Sequence, residues 1–180
     1  EDLSSNMFGR VSSAASCSLG KLPPLFRHIE RPEYIPLSNS QQRLWFLEEM
    51  YPDKALYQVP LVLKLQGNYQ VEALKQAYRS MIESHESLRT RFVAHGGVPH
   101  QVVDGAEKIS GLDILFMDSL GMPLGKYLTH RVSAPFQLSA GPLIRGELLI
   151  RNTEEAILLL VMHHIRSEEH TSELQSRLQI

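Results

Sequence analysis

The sequence predicts an α/β fold with a mixed sheet and flanking helices, because two hydrophobic periods alternate along the chain. Apolar residues at every second position from Val59 to Leu65 predict a half-buried strand. Between positions 71 and 82 the apolar residues instead recur every three or four positions, which predicts an amphipathic helix. Strand and helix signals then continue to follow one another toward residue 165.

The other elements have their own local signals. Ser38 and Gln41 fit a capping box, which predicts a helix over about residues 40–50. Pro60 predicts that the strand around it is an edge strand or carries a bulge. Gly96 and Gly97 lie between two apolar runs and predict a hairpin. The remaining predictions are a strand over 112–117, a helix from Pro123 that ends before Pro135, a strand from Ile144, and a central strand from Ala156 to Ile165.

Composition limits the possible classes of protein. The chain has 180 residues, a formal net charge of −2 and 43% hydrophobic residues. These values predict one folded domain or a piece of a larger protein, without the basic excess that binds nucleic acid or an anionic membrane. The longest apolar run, Ala156 to Met162, is far shorter than the ~20 residues that cross a bilayer. The single cysteine, Cys17, is typical of a reducing compartment, so we predict a cytoplasmic protein.

The two ends differ from the middle in composition. Residues 1–33 contain stretches rich in Ser and Pro and show no secretory signal, so we interpret them as a linker-like segment before a domain over residues 34–165. Residues 166–176, RSEEHTSELQS, match the in-frame translation of a common short-read sequencing adapter. We therefore interpret residues 166–180 as a non-native tail and exclude it from functional reasoning.

The pair His163-His164 is the most informative candidate for chemistry. It follows a predicted buried strand, where loops and ligands meet in α/β folds. Neighbouring strand residues point to opposite faces, so one ring could face a cavity while the other is held in the core. An imidazole can accept a proton from a hydroxyl or an amine near neutral pH. Two hydrogen-bonded structural histidines explain the pair equally well. No phosphate-binding loop or metal-ligand spacing is present, so we predict no metal and no directly bound cofactor.

Four segments, in order, resemble the condensation domains of non-ribosomal peptide synthetases. Residues 38–47, SNSQQRLWFL, resemble the opening motif of that family, and residues 84–92, SHESLRTRF, resemble its second motif. APFQL and GPLIR, within residues 134–145, resemble the segment that leads to the active site. Residues 160–165, LVMHHI, resemble the start of the motif His-His-x-x-x-Asp-Gly.

The resemblance implies a fold and an activity. The fold would be the N-terminal lobe, and only that lobe, of a domain similar to chloramphenicol acetyltransferase. The activity would be an acyltransferase reaction in which a carrier-bound acceptor amine attacks a carrier-bound donor thioester and forms a peptide bond. The implied partners are donor and acceptor carrier domains, which carry phosphopantetheine, and an adenylation domain of the same assembly line. The resemblance implies no nucleic-acid or membrane partner.

The resemblance also assigns residues. His164 matches the catalytic histidine, which orients the acceptor amine or takes its proton. His163 matches the largely structural histidine, and Arg89 matches an arginine that pairs with the motif's Asp. The chain departs from the motif because Glu168 and Glu169 occupy the Asp and Gly positions. For that reason, and because the second lobe is missing, we predict that the 180-residue chain alone forms no peptide bond.

Other interpretations stay open at this point. An epimerisation or heterocyclisation domain would share the same fold, although a heterocyclisation domain replaces the His-His start with an aspartate-based motif. A free-standing acyltransferase that uses coenzyme A would share the fold as well. From a different class of protein, the chain could be a non-catalytic interaction module.

Overall fold

The structure is a computed structural model, and it describes Pro32 and residues 34–51, 54–108 and 110–166. The predicted linker-like segment lies outside these residues except for Pro32. The predicted tail lies outside them except for Arg166.

The larger sheet is mixed, as predicted, and contains four strands: β2 (Gln58–Gln66), β5 (Asp113–Phe116), β6 (Ile144–Ile150) and β7 (Glu155–His163). The pair β5·β6 is parallel, and the pairs β2·β7 and β6·β7 are antiparallel. The strand order is β2-β7-β6-β5, which places β7 in the interior and β2 at an edge. The apolar run of β7 explains its place in the interior of the sheet. Pro60 has no backbone N–H to donate to a neighbouring strand, and β2 tolerates it because it is an edge strand.

Helices cover this sheet on both faces. Tyr78 and Ile82 of α2 (Val71–Ser84) pack against Leu148 of β6 in one buried cluster. On β6 the next side chain, Glu147, points to the opposite face and accepts a hydrogen bond from Tyr127 of α3 (Leu124–Val132) at 2.9 Å. The predicted arrangement of a mixed sheet with flanking helices is therefore confirmed.

A smaller sheet has three strands in the order β1-β4-β3, namely β1 (Ile35–Pro36), β4 (Val98–Val103) and β3 (Thr90–His95). The predicted hairpin is β3 and β4. Its turn consists of Gly96 and Gly97, whose φ angles of 59° and 81° are in the region that favours glycine.

A second buried cluster joins this sheet to the first helix and to the end of β7. Leu44 of α1 (Asn39–Met50), Phe92 of β3 and Ile165 beyond β7 belong to it. Leu37, Leu138 and Leu143 complete it, and we call these six residues the α1 cluster. Because Ile165 directly follows the His163-His164 pair, the α1 cluster anchors the segment that carries the two histidines.

The predicted capping box is present at the start of α1. Ser38 Oγ accepts a hydrogen bond from the backbone N–H of Gln41 at 3.2 Å, and Gln41 Oε1 accepts one from the backbone N–H of Ser38 at 3.0 Å. The box satisfies two N–H groups that the helix itself cannot pair.

We expect Ser38→Ala to lower the free energy of unfolding by about 1 kcal/mol, because it removes the oxygen that caps α1. Urea unfolding followed by circular dichroism measures this loss. Ser40→Ala is the matched control, since Ser40 is exposed inside the same helix. Equal effects of the two substitutions would contradict the capping role.

Candidate functional site

His163 is the last residue of β7, and its side chain is buried. Its backbone N–H donates to the carbonyl of Leu143 at 3.0 Å, next to the start of β6. The rings of Tyr57 and Phe136 lie beside the imidazole, with centroid distances of 6.4 and 6.3 Å. A backbone hydrogen bond and two neighbouring aromatic rings therefore fix the position of His163.

Both ring nitrogens of His163 have hydrogen-bond partners. Nε2 lies 2.9 Å from Oε1 of Glu48, which α1 contributes, and Nδ1 accepts the backbone N–H of Ile165 at 3.1 Å. Burial lowers the pKa of His163 below its ordinary value of 6.5, while the hydrogen bond to Glu48 acts in the opposite direction. The lowered pKa keeps the ring neutral at neutral pH.

His164 lies in a 3-10 turn formed by His164–Arg166, directly after β7. Its backbone N–H donates to the carbonyl of Tyr57 at 2.7 Å, and its side chain is half-buried. The predicted strand to Ile165 is therefore two residues too long. The physical reason is local, because the N–H of Ile165 turns back onto the His163 ring instead of joining a strand ladder.

His163 and His164 are adjacent at the end of β7, whereas Arg89 contacts other residues. Arg89 ends a 3-10 helix, donates through Nη1 to the carbonyl of Asp104 at 2.7 Å, and lies 3.7 Å from the carboxylate of Glu86. Its Nε is buried and has no hydrogen-bond partner in the part of the chain that the structure describes. Among those residues no hydrogen bond or ion pair joins Arg89 to either histidine. Glu168, at the position of the expected acidic partner, lies outside the described residues.

A groove of about 440 Å³ opens beside the Glu48–His163 pair, and it is lined by Glu48, Glu49 and residues 135–139. Arg145 holds one wall of the groove. Its guanidinium donates to Gln58 Oε1 at 2.8 Å and to the carbonyl of Ala134, and its central carbon lies 4.2 Å from the centroid of the Phe136 ring. Burial lowers the pKa of Arg145, and the charge of Arg131 adds to this effect.

The described residues contain no group of three or more His, Cys, Asp or Glu side chains that could hold a metal ion. None of their helices has the length and apolar character that a bilayer span requires.

The family model described as the condensation domain matches residues 32–167 of this chain. The chain belongs to the condensation domain family. It is 36% identical over 146 residues to a linear gramicidin synthase of Brevibacillus parabrevis, a match that covers 76% of the chain and 3% of that synthase. It is 35% identical over 139 residues to bacitracin synthase 2 of Bacillus licheniformis, which covers 77% of the chain and 5% of the synthase.

A solved structure supports the fold. The starter condensation domain of rhizomide synthetase matches with a TM-score of 0.65 and 20% identity, over 74% of this chain and 31% of that domain's chain. The predicted family and the predicted fold, the N-terminal lobe of a chloramphenicol acetyltransferase-like domain, are thus confirmed. The chain spans only a small part of the two synthases, and less than half of the solved domain.

Glu48 of this condensation domain contacts His163, and the sequence motifs did not predict that contact. A signal for it was available, because Gln41, Leu44 and Glu48 are spaced by three and four positions and form the buried side of α1. A carboxylate within such a stripe needs a buried partner, and that partner is His163.

Proposed function

We propose that this chain is the N-terminal lobe of a condensation domain that forms a peptide bond between two carrier-bound aminoacyl or peptidyl thioesters, with His164 as the catalytic residue. The family match supports the activity. The observation that carries the assignment of His164 is the contrast between the two histidines. His163 is buried at the end of β7, whereas the half-buried ring of His164 lies in the turn after the strand.

In the proposed reaction, the amine nitrogen of the acceptor attacks the carbonyl carbon of the donor thioester. A C–N bond forms, the C–S bond breaks, and the donor carrier keeps the released thiol. The amine loses a proton in this step. The imidazole of His164 either accepts that proton or orients the amine for the attack. Phosphopantetheine arms on the donor and acceptor carrier domains would present both thioesters, and an adenylation domain of the same cytoplasmic assembly line would supply the amino acids.

We propose supporting roles for the other two residues. His163 would be structural, because its ring is neutral and holds Ile165 in place. Arg89 would stabilise the site through its buried Nε, which is the donor we assign to the acidic residue of the family motif. The second lobe would provide the other wall of the site, so we propose that the 180-residue chain alone is inactive.

The test begins with the gene, read past the codon for Ile165. Two further residues followed by Asp-Gly and a second lobe would support the proposal. The complete domain is then assayed for amide formation with loaded donor and acceptor carriers, and we expect turnover that His164→Ala abolishes. His130→Ala is the control, because His130 is exposed on α3.

Three results would contradict the proposal. Turnover that survives His164→Ala would remove the catalytic role of this residue. Turnover by the 180-residue chain alone would show that the second lobe is not required. Acyl transfer from coenzyme A thioesters, with carrier thioesters inert, would favour a free-standing acyltransferase instead.

A further inference from the structure

Glu48 is a buried carboxylate that the proposed reaction does not use. Only 8% of the residue is exposed, and its Oε1 lies 2.9 Å from Nε2 of His163. An acidic side chain is seldom buried unless a partner satisfies it. The contact joins α1, at the position directly after the opening motif, to the end of β7, 115 positions away in the chain.

The donors and acceptors around His163 determine where its ring proton lies. The backbone N–H of Ile165 can only donate, so Nδ1 must present a lone pair to it. In the neutral ring the proton is then on Nε2, which donates to the Glu48 carboxylate. A proton on Nδ1 would face the N–H of Ile165, donor to donor, and would break that bond.

We propose that Glu48 is a positioning residue of the condensation site. By accepting the Nε2 proton of His163 it leaves Nδ1 free for the N–H of Ile165, and this bond fixes the turn that carries His164. The proposal rests on the proposed function for its meaning in catalysis. The hydrogen-bond relay itself, from Glu48 through His163 to Ile165, can be tested without any activity.

The backbone on either side of His164 explains why the relay matters. On one side the N–H of His164 is held by the carbonyl of Tyr57. On the other side the side chain of Ile165 is buried in the α1 cluster, but its N–H is held by the His163 ring alone among the contacts described. Loss of the carboxylate would leave a buried Nε2–H without an acceptor, which favours a shift of the proton to Nδ1 and release of the Ile165 N–H.

The direct test is nuclear magnetic resonance of the 180-residue chain with nitrogen-15-labelled histidine at neutral pH. We expect the wild type to show His163 with a protonated Nε2 and an unprotonated Nδ1, and a slowly exchanging Ile165 amide. In Glu48→Met we expect a mixture of ring tautomers and an Ile165 amide that exchanges at least tenfold faster. Met has a similar length, so the change removes the acceptor and keeps most of the packing.

Two variants separate a hydrogen-bond role from a packing role. Glu48→Gln keeps an oxygen that can accept the Nε2 proton, so Nδ1 can still accept the N–H of Ile165, and we expect Glu48→Gln to preserve the wild-type spectrum. If Glu48→Met does not fold, the ring tautomer of His163 in the wild type and in Glu48→Gln still tests the proposal. Glu49→Met is the matched control, because Glu49 is the exposed neighbour on the same helix. A protonated Nδ1 in the wild type, or in Glu48→Gln, would overturn the proposal, and so would a wild-type spectrum in Glu48→Met.

The catalytic consequence is measured in the complete domain. We expect Glu48→Met to lower kcat by up to about 100-fold with little change in the KM of either loaded carrier, because a misplaced catalytic group slows the chemical step. We expect Glu48→Gln to restore most of the rate. A domain in which His164→Ala remains active would refute the proposed function but leave the relay intact, so the two proposals fail separately.

Discussion

Replacing Arg131 with Met is expected to lower the free energy of unfolding by about 3–5 kcal/mol, because the substitution leaves a buried carboxylate without its cation. The carboxylate is that of Glu147 on β6, which is 1% exposed. Arg131 of α3 forms an ion pair and a hydrogen bond with it, and Tyr127 donates a second hydrogen bond at 2.9 Å.

The two groups that contact the Glu147 carboxylate both have raised pKa values. Burial raises the pKa of Tyr127 to about 12, and the hydrogen bond to Glu147 acts in the same direction. Burial is the largest single effect on Arg131 and acts to lower its pKa, but the hydrogen bond to Glu147 and the negative charges nearby together raise the pKa of Arg131. Tyr127 carries no positive charge, and Arg145 interacts with Glu147 only by charge, so Arg131→Met should remove the cation that contacts the buried carboxylate directly.

Guanidinium chloride unfolding measures the loss in Arg131→Met. The matched control is Arg151→Met, which breaks the exposed ion pair between Arg151 and Glu155 and should be close to wild type. The double substitution Arg131→Met with Glu147→Leu should recover part of the stability, because it also removes the buried charge. A loss below about 1 kcal/mol in Arg131→Met would show that water reaches the carboxylate.

Phe92→Ala is expected to cost about 3–5 kcal/mol, because it empties the centre of the α1 cluster. Phe92 is 1% exposed and packs in the same cluster as Leu44 and Ile165. The guanidinium of Arg166 lies over its ring, with the central carbon 5.3 Å from the centroid. The cavity therefore forms next to the turn that carries His164.

Phe116→Ala is the control for Phe92→Ala, because the same atoms are removed from a residue that is 60% exposed. Thermal and denaturant unfolding should show a large loss for the first and a small one for the second. Amide exchange adds a local readout, since the Ile165 amide should lose protection in Phe92→Ala. If both variants unfold alike, Phe92 does not hold the α1 cluster together.

Most of the fold was predictable because its signals are local. The capping residues Ser38 and Gln41, the glycine turn at 96–97 and the period-two run of β2 each determine a short piece of backbone without help from the rest of the chain. The order of the strands in the sheet could not be predicted from these local signals. The placement of β7 beside both β2 and β6 depends on contacts between distant segments, and no local period reveals them.

The site was predictable only in part, for a related reason. The family motifs pointed to His163 and His164, but the acceptor for His163 comes from α1, and sequence distance hides that contact. The burial of Glu147 could not be predicted either, because a charged residue that alternates with apolar ones along a strand usually faces water. Here its face is covered by α3, and Arg131 and Tyr127 make burial possible. Arg89 was placed by family motif alone, and its role remains a prediction.

The exposed strand β2 has a practical consequence for work with this protein in solution. In the described part of the chain it ends its sheet, and Val59, Leu61 and Leu63 are each more than one third exposed. Such a strand is a template for self-association, which Pro60 and the charge of Lys64 only partly discourage. We therefore expect concentrated samples to self-associate through β2, and lysine substitutions at Leu61 or Leu63 are the first choice for keeping the chain monomeric.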